Sequence, residues 1–85
     1  MSHRVTLIPR AVKDLHALEG KLLGQAESAI RSLSDDPVPP GSLKLSGERN
    51  GYRIRVRDIR ILYRIDVRSK EVIIFRVRHR HEVYR

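Results

Sequence analysis

Tyr52-Arg53-Ile54-Arg55-Val56-Arg57-Asp58-Ile59-Arg60-Ile61-Leu62-Tyr63 is the stretch that decides the fold. Its apolar residues alternate with arginine, which is the period of a half-buried strand and not of a helix. A two-residue loop at Arg57-Asp58 sets Val56 opposite Ile59, Arg55 opposite Arg60, Ile54 opposite Ile61 and Tyr52 opposite Tyr63. Directly opposed side chains share a face of the sheet. Tyr52, Ile54, Val56, Ile59, Ile61 and Tyr63 then make an apolar face suited to cover helices, while Arg53, Arg55, Arg60 and Arg64 share the other face with Leu62. This assignment depends on the turn, because a slip of one residue sends every side chain to the opposite side. Arg55 across from Arg60 is a local cost to folding, and a sheet that accepts such a cost is expected to meet anions there.

Outward from this hairpin, Val72-Ile73-Ile74-Phe75-Arg76-Val77 is the strongest strand signal, with Val67-Arg68-Ser69-Lys70 as the turn before it. Upstream, His3-Arg4-Val5-Thr6-Leu7-Ile8 reads as a first strand ended by Pro9, a residue suited to the first turn of a helix. Ala11, Val12, Leu15 and Leu18 recur at helical spacing, Gly20 interrupts them, and Leu22, Leu23, Ala26, Ala29, Ile30 and Leu33 form a second helical pattern. Ser34 to Ser42, with three prolines and a glycine, is a loop within one domain; Leu43-Lys44-Leu45-Ser46-Gly47 is a short, ambiguous extended piece. The expected fold is α+β in two layers: an N-terminal strand, a helical hairpin, then an antiparallel β-meander, in the order β-α-α-β-β-β.

The chain has 85 residues, which allows one small domain, 1–85, with a thin core. It has no Cys, so disulfides, thiolate metal sites and cysteine nucleophiles are excluded. A reducing cytoplasm is the expected setting, and neither a membrane span nor a signal-type apolar core is visible. Formal net charge is +8, and fourteen of the 18 basic residues are Arg. Residues 1–47 are close to balanced, with six basic and five acidic side chains, whereas residues 48–85 carry twelve basic and five acidic. Arginine grips phosphate with a planar, permanently charged fork, so its concentration in the strand half points to a polyanionic partner. A solvated basic face that discourages edge pairing is the bland alternative.

The tail Arg76-Val77-Arg78-His79-Arg80-His81-Glu82-Val83-Tyr84-Arg85 gathers cations, imidazoles and a phenol. His79 and His81 are spaced to share a metal on a strand, but the neighbouring guanidiniums repel a cation, and neither metal nor cofactor is expected. No Ser/His/Asp context, Gly-rich phosphate loop or HExxH motif is present. One Phe and three Tyr are too few for a sheet that stacks several bases. The surface looks made for phosphate more than for reading bases.

The Tyr52–Tyr63 block with its Arg60-Ile61-Leu62-Tyr63 core, together with His79-Arg80-His81-Glu82-Val83-Tyr84-Arg85, closely resembles the RelE branch of the RelE/ParE toxin superfamily. The opening Pro9-Arg10-Ala11-Val12-Lys13-Asp14-Leu15 and Leu43-Lys44-Leu45-Ser46-Gly47 fit as well, so the resemblance spans essentially the whole chain. It implies a RelE-like fold and a type II toxin with a cognate antitoxin as partner. It also implies cleavage of mRNA in the A site of the 30S ribosomal subunit without a metal: the 2′-hydroxyl attacks its own phosphodiester. By position, Arg53 and Arg55 hold the RNA backbone and the transition-state phosphate, Arg60 binds phosphate, Arg78 is a catalytic arginine, and Tyr84 is the base. His79 and His81 are alternative acids or bases, and Arg57, Arg64 and Arg80 are further RNA contacts. Many members carry Gly where Arg57 and Arg78 stand, which makes Arg80 the natural substitute for Arg78. The rival expectations are a ParE-like toxin that inhibits DNA gyrase by binding, and a basic domain that only coats RNA or ribosome.

Overall fold

Pro9 ends one element and starts the next, as its missing N–H and fixed φ dictate. In the computed structural model, which describes residues 3–79, strand β1 (Arg4–Leu7) stops just before it and helix α1 (Pro9–His16) begins on it. Helix α2 (Gly20–Ser32) follows, with Gly20 at φ 58 making the reversal that a Cβ disfavours. Ala11 from α1 and Ala26 and Ile30 from α2 are buried, with Leu18 and Leu33 just beyond the two helices, so the apolar spacing in the sequence becomes one greasy surface.

The chain then crosses to the far edge of the sheet through the proline-rich loop. The ambiguous segment contributes a two-residue strand, β2 (Leu43–Lys44). Next come β3 (Gly51–Val56), β4 (Ile59–Asp66) and β5 (Glu71–His79), each antiparallel to its predecessor. The β3–β4 register is the one expected: Val56 opposite Ile59, Arg55 opposite Arg60, Ile54 opposite Ile61 and Tyr52 opposite Tyr63. The strand order is β1-β5-β4-β3-β2, and β1 pairs with β5 in parallel. The sheet is therefore mixed. The meander starts on one edge and runs back to the strand left on the other, and its last member travels in the same direction as β1.

Ile54, Ile59, Ile61, Tyr63, Ile65, Val72, Ile74 and Val77 pack beneath the helices as the core. Tyr63 is fully buried; its hydroxyl donates to the Pro37 carbonyl at 2.6 Å, and its ring stacks on Tyr52 at 6.0 Å. Burial first, then Tyr52 and Asp36, push its pKa from 10.0 up to about 12. Tyr63 is thus a neutral strut that ties the proline loop to the core.

β5 departs from simple alternation. Leu62 opposes Arg76 and Tyr63 opposes Ile74, so Phe75 is an extra residue with no partner on β4. Such a bulge changes which face the following residues occupy. Without it, Arg78 and Val77 would exchange sides. With it, Val77 enters the core and Arg78 stands opposite Arg60. Asp14 of α1 holds this arrangement: its Oδ2 accepts from Arg76 Nε at 2.8 Å and from the Val77 backbone N–H at 3.0 Å. β1 has ended at Leu7 opposite Ile74, and the Asp14 carboxylate serves a backbone donor of β5 beyond that point.

Candidate phosphate site on the arginine face

Arg55, Arg60 and Arg78 occupy consecutive strands and are directly opposed in pairs, Arg55 to Arg60 and Arg60 to Arg78. They share the face of the sheet remote from the helices. Opposed residues sit about 5 Å apart at the backbone, so three positive charges are held close by the ladders themselves. Among the described residues no salt bridge joins Arg53, Arg55, Arg60 or Arg78 to a carboxylate; both ion pairs found there are made by Asp14, with Arg10 and Arg76.

Arg53, Arg60 and Arg78 line one concavity of about 390 Å³, walled by Leu45 and Leu62. All three arginines are partly buried. Arg78 Nε is buried with no hydrogen-bond partner among the described residues, an unmet donor on a charged group. Apolar walls lower the local dielectric and strengthen attraction to an anion, and guanidiniums match the oxygens of phosphate in a bidentate way. Arginine stays protonated throughout, so these three residues can bind and neutralise a phosphate but cannot take a proton from it.

The remaining candidates sort clearly by place. Arg55 is exposed and turned along the hairpin, its Nε donating to the Arg57 carbonyl at 3.1 Å, and it does not line the concavity. Arg57 is exposed at the tip with φ 55, a left-handed conformation normally left to Gly. Arg64 is exposed on the same face but four residues along β4, roughly 13 Å from Arg60 at strand rise. His79 opposes Ile59 on the helix side and lines a separate hollow of about 310 Å³ with Asp14, Leu18, Leu22 and Val77. Arg80, His81 and Tyr84 lie outside the described residues. No group of three or more His, Cys, Asp or Glu side chains that could hold a metal occurs among the described residues.

Sequence reasoning set Leu62 on the arginine face, as found, but missed Leu45 as a wall and Asp14 as the tether. Leu45 lies in the segment whose pattern was ambiguous. The signal for Asp14 was a lone acid on a helix between the patterned Val12 and Leu15, which by itself reads as a solvated position.

Residues 5–84 match the family model described as the ParE toxin of type II toxin–antitoxin systems, parDE. Toxin RelG of Mycobacterium tuberculosis is 34% identical over 86 residues, covering 100% of this chain and 99% of the relative. The toxin–antitoxin complex RelBE2 from the same organism contains a chain of the same fold, with a TM-score of 0.83, 30% identity, and 94% and 100% of the two chains covered. The archaeal RelE–RelB complex from Pyrococcus horikoshii aligns at a TM-score of 0.79 with 26% identity, covering 94% of this chain and 97% of the other. The chain belongs to the RelE/ParE superfamily of type II toxin–antitoxin toxins.

Proposed function

We propose that this toxin inhibits translation by cutting mRNA in the ribosomal A site, with the RNA 2′-hydroxyl as nucleophile. The observation that carries the reading is the convergence of Arg53, Arg60 and Arg78 on one concavity, with Arg78 Nε lacking a partner among the described residues. In the reaction the 2′-oxygen bonds to phosphorus and the bond from phosphorus to the 5′-oxygen breaks. The products are a cyclic phosphate and a free 5′-hydroxyl. Charge grows on the non-bridging oxygens as the fifth bond forms, and preorganised guanidiniums lower the barrier by meeting it there. The proton leaving the 2′-hydroxyl needs an acceptor, and another proton must reach the departing 5′-oxygen. Tyr84 is our choice of base, by its place in the family resemblance, and a tail Arg or His assists the leaving group. No metal or cofactor enters this scheme.

The partner in the cell is a cognate antitoxin. The solved relatives from M. tuberculosis and P. horikoshii are toxin–antitoxin complexes. A segment that covers this basic sheet must supply acid, and its binding stabilises the thin core by mass action.

The test is to add the toxin to a translating extract and map new mRNA 5′ ends by primer extension. Breaks within codons on ribosome-bound message are expected from wild type. Arg60→Ala, a substitution on a partly exposed position, should abolish them while leaving the fold intact. Because the matching family model bears the ParE name, a gyrase supercoiling assay runs alongside. Loss of supercoiling with intact message would replace the nuclease reading by the gyrase one.

A further inference from the structure

A hollow of about 450 Å³, larger than the arginine site, lies at the opposite end of β4. Two turns build it. One contributes Glu48, Arg49 and Asn50, the other Asp66, Val67 and Arg68, and Arg64 reaches it from the strand between. Its frame is fixed by backbone bonds: Ile65 N–H donates to the Asn50 carbonyl at 3.0 Å, and Asp66 Oδ1 accepts from the N–H groups of Arg68 and Ser69 at 3.1 and 3.2 Å. Arg49, Arg64 and Arg68 are all exposed. Although Glu48 and Asp66 share the rim, no salt bridge ties either of them to these arginines among the described residues. Three guanidiniums from three segments thus face one open hollow with their charge unspent.

Arg64 and Arg60 lie on the same face of the same strand, so the two basic hollows are aligned along β4. We propose that the Arg49/Arg64/Arg68 hollow is a second phosphate-binding site for the RNA strand whose scissile linkage sits at Arg60. The inference rests on the nuclease reading for the identity of that strand. Its role is to hold backbone further along the chain and set register and affinity, with no part in the chemistry. An RNA backbone fits better than an acidic protein segment for two reasons. Phosphates recur at regular spacing, matching two sites on one line, and the hollow presents arginines rather than a buried apolar anchor.

The test is binding, kept separate from cutting. Single-stranded RNA of about 12 nucleotides, a length typical of single-strand sites, carries 2′-O-methyl groups so that no nucleophile is available. Its affinity is measured by fluorescence anisotropy across a salt series. Each lost phosphate contact on a single strand lowers the log–log salt slope by about 0.7. Arg64→Gln/Arg68→Gln should lower the slope by about 1.4 and leave binding of a dinucleotide unchanged. Arg4→Gln/Arg31→Gln removes the same charge from exposed positions elsewhere and should leave the slope near wild type. The single Arg64→Gln variant, expected to lower the slope by about half as much, keeps the test available if the double variant folds poorly. An unchanged slope overturns the proposal, and so does an equal fall in the charge-matched control. A third overturning result is loss of affinity for a poly-glutamate peptide with RNA binding intact, which would assign the hollow to a protein partner. Because the probe cannot be cut, failure here leaves the cleavage assay to judge the nuclease reading by itself.

Discussion

Replacing Asp14 by alanine removes both bonds that hold the β5 bulge to α1. Its Oδ2 meets Arg76 Nε at 2.8 Å and the Val77 N–H at 3.0 Å, with the Asp14 side chain 12% exposed and that of Arg76 23% exposed. A hydrogen bond to a charged group contributes about 1.5–3 kcal/mol, and a buried backbone donor left unpaired costs about 1–3 kcal/mol. Arg76 is open enough to turn to water, which places its share near 1 kcal/mol, as for a largely solvated pair. The expected cost of Asp14→Ala is therefore about 3 kcal/mol, against a whole-domain stability of roughly 4–13 kcal/mol for this length. For so small a domain that lowers Tm by roughly 12–24 °C. Asp14→Asn keeps an acceptor for Val77 and should recover about half of the loss. Urea unfolding of the three proteins gives the energies, and hydrogen exchange at the Val77 amide locates them. Cleavage should fall with protection, because a loosened bulge frees Arg78 to leave Arg60. An alanine variant within about 0.5 kcal/mol of wild type, the range of ordinary surface changes, or with Val77 still protected, would refute the reasoning.

Tyr63 supplies a pH signature. Its folded pKa, raised from 10.0 to about 12, means the neutral hydroxyl stabilises the fold fully below pH 10 and loses that contribution as pH climbs toward 12. Tyr63→Phe should cost about 1 kcal/mol at neutral pH through the lost bond to Pro37, and should abolish this alkaline phase in the difference between the two unfolding curves. Arg57→Gly relieves a φ of 55 at the hairpin tip and should raise the urea midpoint. The gain expected is about 0.5–1 kcal/mol after glycine's own entropy cost, and a lower midpoint would show that the side chain, not the backbone, decides there. Tyr84→Phe should slow cleavage by about 10²–10⁴-fold if Tyr84 is the base, read as single-turnover cutting on programmed ribosomes. A rate near wild type passes the role to His81, since His79 stands on the helix side of the sheet.

The two halves of the arginine site differ in how far the sequence could reveal them. Arg53, Arg55 and Arg60 were legible because the β3–β4 hairpin is local: alternation fixes the faces and the two-residue turn fixes the register, with no information needed from elsewhere. The same locality made the helix pair and the meander readable. The parallel seat of β1 beside β5 joins residues nearly seventy positions apart and leaves no local pattern.

Arg78 posed a harder problem. Read by simple alternation from Val72 and Ile74, it belongs with the core and His79 with the arginines. The bulge at Phe75 reverses both assignments. Nothing in Ile74-Phe75-Arg76-Val77 announces an extra residue, since the feature that stabilises it is a carboxylate on a helix 62 residues away. A strand this apolar accepts either parity locally, and the choice falls to whichever places fewer polar groups unpaired. With β1 ended at Leu7, straight continuation would leave the β5 backbone without the Asp14 partner and drive a guanidinium under the helices. An uncompensated buried charge costs several kcal/mol, far more than one broken ladder position. The bulge is therefore what lets one strand finish the core with Val77 and still deliver Arg78 to the phosphate site.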